Sequence, residues 1–139
     1  MNNCDITLIL EYGLINNKSF DVELTHNGVT TPITGTTHTV SVNLPTQIMV
    51  KFSGKNMATD TIIDDTGRIV ADKYVKIKEI LLDNIQLPRY FLEKKLELVD
   101  ENNVIRNTNY IGFNGCLVLN FEKSNVFSQY YYFDTLGKQ

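Results

Sequence analysis

The residue types that move protons or attack carbonyl carbon are scarce in this chain. It has two histidines, His26 and His38, and two cysteines, Cys4 and Cys116. General-base and nucleophilic catalysis need such groups paired and oriented. His26 and His38 stand beside threonines in strand or turn segments, with no local nucleophile motif around them. A Cys–His pairing across the fold has no sequence signature here, so the preferred reading is of surface or hairpin histidines. Gly54-Lys55 lacks the upstream glycine and the following Ser/Thr of a phosphate loop. Asn17-Lys18-Ser19 matches a glycosylation sequon, which matters only in a secreted chain. No catalytic residue and no cofactor are expected.

Two other groups of side chains are suited to binding. Asp60, Asp64, Asp65 and Asp72, with Asn56 nearby, are oxygen donors of the kind that hard cations such as calcium take from a loop. Their order lacks the alternating acidic spacing of an EF-hand, and Asp64-Asp65-Thr66-Gly67 is what a plain hairpin turn uses, so turn chemistry is preferred and no metal is assigned. The aromatics Tyr110, Phe113, Tyr130, Tyr131, Tyr132 and Phe133 form the second group. A tyrosine offers an apolar face and a polar hydroxyl, which suits either a sugar ring or a protein partner. In an extended Tyr130–Phe133 segment the side chains alternate between two faces, so one face enters a core and the other becomes a contact surface.

The elements that must position these groups are strands. Ile6, Leu8, Leu10 and Tyr12 alternate with Asp5, Thr7 and Glu11, the period of a half-buried strand. Phe20, Val22 and Leu24 repeat the pattern up to Asn27-Gly28, a tight hairpin turn, and Val29 begins the return strand. The segment 30–42 contains Pro32 and Gly35 and reads as strand broken by a bend, with Val40 and Val42 inward and Leu44-Pro45 at its end. Ile48, Val50 and Phe52 alternate again, and residues 55–61 read as a loop. A second hairpin is expected around Asp64–Gly67. On the long strand 75–82, Val75, Ile77, Glu79 and Leu81 share one face and Lys76, Lys78, Ile80 and Leu82 the other, a mixed polarity that predicts a crossing from sheet edge to core. Residues 88–95 hold at most one helical turn. After Leu96 and Leu98, Asp100–Asn103 marks a turn, and residues 110–113 and 116–121 are expected to pair as a hairpin across Asn114-Gly115. The sum is an all-β chain, an antiparallel β-sandwich or jelly roll with at most one short helix, in a single domain over residues 1–139.

Composition narrows the partners. The 139 residues are 42% hydrophobic and 21% charged, enough to bury a core without metal or disulfide staples. A net charge of −3 without a dense Lys/Arg run disfavours nucleic acid. Apolar runs such as Cys116-Leu117-Val118-Leu119 are far below the roughly 20 residues that span a bilayer, so no membrane partner is expected. The N-terminal residues show no signal-peptide pattern, so synthesis in a cytoplasm with Cys4 and Cys116 as buried free thiols is expected.

Thr59-Asp60-Thr61-Ile62-Ile63-Asp64 leading to Asp72-Lys73, then Tyr110-Ile111-Gly112-Phe113-Asn114-Gly115 before an alternating strand, resemble the small β-sandwich structural proteins of tailed bacteriophages, found as capsid decoration, neck or tail components. The resemblance implies a non-enzymatic virion assembly subunit in many copies, in contact with other virion proteins or copies of itself, made in the host cytoplasm and located in the virion. A similar sandwich serves calcium-dependent carbohydrate-binding modules. The alternative expectation is therefore a surface-glycan binder used for adhesion, with a calcium requirement left open.

Overall fold

The computed structural model describes residues 3–121. Period-two alternation governs the architecture. β1 (Asn3–Gly13) buries Cys4, Ile6, Leu8 and Leu10 and half-buries Tyr12. β2 (Asp21–His26) and β3 (Val29–Pro32) are joined through Asn27 and Gly28, whose φ of 51° and 76° are those of the tight turn that matches strand twist. β4 (Thr37–Asn43) pairs antiparallel with β1, and β5 (Thr46–Ser53) with β2. β6 (Thr61–Ile63) and β7 (Ile69–Asp72) form a small hairpin of their own. β8 (Tyr74–Leu82) and β9 (Ile85–Gln86) pair, followed by a five-residue helical turn at Phe91–Lys95. β10 (Leu98–Asp100), β11 (Ile105–Arg106), β12 (Tyr110–Ile111) and β13 (Gly115–Phe121) complete the described chain.

Apart from the β6–β7 hairpin, these strands make two antiparallel sheets. One runs β12-β8-β1-β4, with β9 on β8; the other runs β11-β10-β13-β5-β2-β3. Their inner faces bury one core in which Ile6, Leu8, Ile77 and Ile80 of the first sheet meet the Ile48, Phe52, Leu117 and Phe121 side of the second. The chain is a β-sandwich, as its alternation requires.

Two expectations are corrected. β8 does not drift from edge to core; β1 pairs with it along its length, with β12 on its other side at Val75–Lys76 and β9 at Leu81–Leu82. Its register on β1 shifts between Ile9 and Leu10, so that Ile9 faces Glu79 and Leu10 faces Ile77, leaving Lys78 as the extra residue. A bulge of this kind moves every later side chain to the other face. Val75, Ile77, Ile80 and Leu82 are therefore all buried, and the mixed polarity disappears. Residues 110–121 are also not a hairpin. β12 pairs with β8 in one sheet, while β13 pairs with β5 and β10 in the other, so the chain crosses the sandwich at residues 112–114. Asn114 fixes the crossing instead of turning it. Its side-chain amide donates to the Lys55 carbonyl at 2.9 Å and its oxygen accepts the Lys55 amide at 3.0 Å.

Of the two thiols, Cys4 is buried as expected, whereas Cys116 is only half-buried; both are free. Burial first, then the charge of Asp83, pushes the Cys4 thiol up to about 11.

Candidate functional site

Tyr110 lies on β12 directly opposite Lys76 of β8, and Ile111 beside it lies opposite Val75. Ile111 and Val75 point into the core, so strand alternation turns Tyr110 outward, 42% exposed. Tyr74, one step before Val75, shares that outer side. The two phenol rings stack with centroids 4.7 Å apart and planes 22° from parallel. Tyr74 is seated by a glycine: a Cβ on Gly13, its register partner on β1, would come within 2.2 Å of the Tyr74 ring and 2.7 Å of the Asp72 carbonyl oxygen.

Both hydroxyls are tethered to carboxylates. Tyr74 donates to Glu11 Oε2 at 2.8 Å and Tyr110 to Asp72 Oδ2 at 2.5 Å. The Glu11 hydrogen bond, then burial, raises the Tyr74 phenol; burial, then the Asp72 hydrogen bond, raises Tyr110 further. Both phenols are held in the neutral form over the ordinary pH range, with each ring fixed by one hydrogen bond and the shared stack.

Asp72 is the hub beneath the stack. Its Oδ1 accepts from Lys55 Nζ at 2.6 Å and from Thr61 Oγ1 at 2.7 Å. The Lys55 side chain is 2% exposed and that of Asp72 12%. Burial alone would raise the Asp72 carboxyl, but the bonds from Lys55, Tyr110 and Thr61 and the Lys55 charge outweigh it and hold the group below the usual carboxylate range. Next to it Lys73 Nζ donates to the Gly54 carbonyl at 2.7 Å and lies 3.5 Å from Asp60 Oδ2. The Asn56 amide donates to the same Asp60 oxygen at 2.8 Å and is the leading cause of a lowered Asp60 pKa, ahead of the Lys73 charge. The tyrosine pair thus stands on the base of the β6–β7 hairpin through internal ion pairs.

Polar side chains extend from the pair along the outer side of β8 and β1. A depression of about 460 Å³ is lined by Lys76, Lys78, Arg89, Glu93 and Asn109. A larger one of about 1040 Å³ includes Glu11, Tyr12, Asp21, Thr36 and Lys78. They share Ile9 and Lys78, but the larger is also lined by the core residues Leu10, Phe20, Val22 and Ile33 and so opens at the edge between the two sheets; Tyr74 and Tyr110 line neither, and Lys76 and Glu11 connect the pair to them. An exposed, rigid aromatic face with hydrogen-bonding side chains beside it can stack on an apolar ring face and read the polar groups around its rim.

The structure brings together two groups that the sequence keeps apart: Tyr110, and Asp60 with Asp72. Asp64 stays with its own turn, accepting from the Thr66 hydroxyl at 2.6 Å and from the amides of Thr66 and Arg68, which is turn chemistry. Phe113 is not an exposed platform. It is 8% exposed, with the Arg106 guanidinium 4.9 Å from its ring centroid. Tyr130, Tyr131, Tyr132 and Phe133 lie outside the described residues. His26 and His38 line one small cleft with Leu24, Val29 and Thr39, and neither cysteine is part of that lining. Tyr74, Glu11 and Lys55 were not anticipated. Tyr74 could have been found from the alternation of Val75 and Ile77, which sends position 74 outward.

No protein-family model matches the sequence, and no curated protein matches it. The fold matches solved structures of β-sandwich binding modules. The selenomethionine form of vCBM60, described among calcium-dependent carbohydrate-binding modules, aligns at a TM-score of 0.51 with 18% identity, over 84% of this chain and 90% of that one. A vCBM60 complex with galactobiose aligns at 0.47 with 19% identity, over 84% of this chain and 97% of that one. At these identities the likeness is one of fold.

This finding corrects the expectation of a virion assembly subunit. The solved structure that aligns at a TM-score of 0.51 is described among carbohydrate-binding modules and not as a phage structural protein. Virion proteins and further copies of this chain are left without support as partners.

Proposed function

We propose that this chain is a carbohydrate-binding module whose contact face is the Tyr110–Tyr74 stack with the polar side chains beside it. Tyr110 carries the reading: an outward ring, stacked from one side and pinned at its hydroxyl, leaves its remaining face for a ligand. Sugars suit such a face because their axial C–H groups form an apolar patch while their hydroxyls need donors and acceptors at the edge. Glu11, Lys76 and Lys78 supply those edges. The kinship in fold with vCBM60 supports the same reading. Binding without a catalytic step is the activity assigned.

A glycan array of neutral and uronic-acid oligosaccharides, followed by titration calorimetry on the hits, tests the proposal. Tyr110→Ala is expected to weaken binding about tenfold or more, equivalent to about 1.4 kcal/mol, while circular dichroism reports an unchanged sheet signal. A protein that binds no sugar on the array, or a variant that binds as the parent does, would sink it.

A further inference from the structure

The fold relative is described as calcium-dependent, so the carboxylates around the tyrosine pair must be asked whether they fit a divalent cation. They do not. Calcium takes six to eight oxygens at about 2.3–2.6 Å. Lys55 Nζ is 2.6 Å from Asp72 Oδ1, which is where an ion bound to that oxygen would stand. Asp72 Oδ1 is completed by the Thr61 hydroxyl, and Oδ2 is held by the Tyr110 hydroxyl, so three of the about four acceptor sites of the carboxylate are taken. Asp60 Oδ2 is shared between the Asn56 amide and the Lys73 ammonium. Charges balance as well: two ammonium groups meet two carboxylates, and among the described residues no group of three or more His, Cys, Asp or Glu side chains is placed to hold a metal.

Both lysines are buried, an arrangement rarely found unless the ammonium is paired. They also tie separate segments together. Lys55 ties the loop after β5 to β7, and Lys73 ties the start of β8 back to Gly54 and Asp60. We infer that Lys55 and Lys73 are built-in cations that do the ordering work of calcium, so that this end of the sandwich forms without the metal. Sugar binding at Tyr110, where it rests on the function proposed above, then needs none either.

The decisive measurements need no glycan, so they can fail independently of the binding proposal. Thermal unfolding of the full chain is followed by circular dichroism in EDTA and in millimolar calcium chloride. The parent protein is expected to melt at the same temperature in both. A calcium-dependent rise of roughly 5 °C or more, the scale on which a bound ligand shifts a domain of this size, overturns the inference. Lys55→Gln removes one ammonium and leaves Asp72 uncompensated. Calcium is expected to raise the melting temperature of this variant, or to restore its sheet signal if it is unfolded in EDTA. A variant on which calcium has no effect shows that the ammonium does not occupy a cation's place and overturns the inference equally.

Discussion

Tyr110 joins two energetically separate contacts, a ring face on Tyr74 and a hydroxyl on Asp72, and single substitutions can take them apart. Tyr110→Phe keeps the ring and removes the hydroxyl. It is expected to retain most of the sugar affinity while costing about 1.5–3 kcal/mol of stability, the range for a hydrogen bond to a charged group, measured by urea denaturation. The same contacts set the pH range. The Asp72 carboxyl is depressed in the folded state, so its contribution is present above the unfolded value of about 4 and is lost as pH falls through the lower folded value. The phenols of Tyr74 and Tyr110 are raised, so theirs is present below about 10 and lost as pH climbs through the higher folded values. The melting temperature should therefore hold between those limits and fall outside them. Asp72→Asn should flatten the acid limb and Tyr110→Phe the alkaline one; an acid limb identical in Asp72→Asn and the parent would contradict the role given to this carboxylate.

At the scale of elements, the site depends on where β1, β8 and β12 place their outward residues. Gly13 is the clearest test, because a methyl group there has no room between the Tyr74 ring and the Asp72 carbonyl. Gly13→Ala should displace Tyr74, lower sugar affinity along with Tyr110→Ala, and cost about 1–3 kcal/mol, the usual range for overpacking. Gly115 supplies the parallel case away from the site, where a Cβ would meet the Val99 carbonyl oxygen at 2.5 Å. Gly115→Ala should destabilise by a similar amount but leave the affinity of the folded fraction unchanged. The strands themselves were legible from alternation, since Ile6, Leu8 and Leu10 or Ile48, Val50 and Phe52 have one inward solution each. What alternation could not reveal was pairing between distant segments. The bulge at Lys78 is set by the β1 register, and the crossing at residues 112–114 is set by Asn114 gripping a backbone 59 residues earlier. Asn-Gly spells a turn only where no such long-range bond competes. The Lys55–Asp72 pair was hidden for the same reason, being local in neither sequence nor pattern.

For the molecule as a whole, the distribution of buried surface separates what holds the sandwich from what decorates it. The core lies between the two sheets, and Phe52, Leu117 and Phe121 are essentially inaccessible within it. The β6–β7 hairpin stands in a sheet of its own and exposes Ile62, Ile63, Ile69 and Val70 at 46–63%. Its base is tied to the rest through Asp72, which accepts from Lys55 and Tyr110, while the Thr61 hydroxyl braces the same carboxylate from within the hairpin. Burial sets what truncation costs, so the two regions should respond differently. Phe52→Ala should destabilise by about 3–5 kcal/mol, the range for emptying a buried aromatic site. The pair Ile62→Ser and Ile69→Ser should cost less than about 1 kcal/mol together, as exposed substitutions do. Asp72→Asn, although it belongs to the same hairpin, should fall with the core class, because it leaves the buried Lys55 ammonium without its counter-charge at a cost of roughly 3 kcal/mol. Urea denaturation of the three variants checks the ordering. A costly Ile62/Ile69 pair would mean that the hairpin's outer faces are covered in solution, and its tip would then have to be counted as part of the folded core.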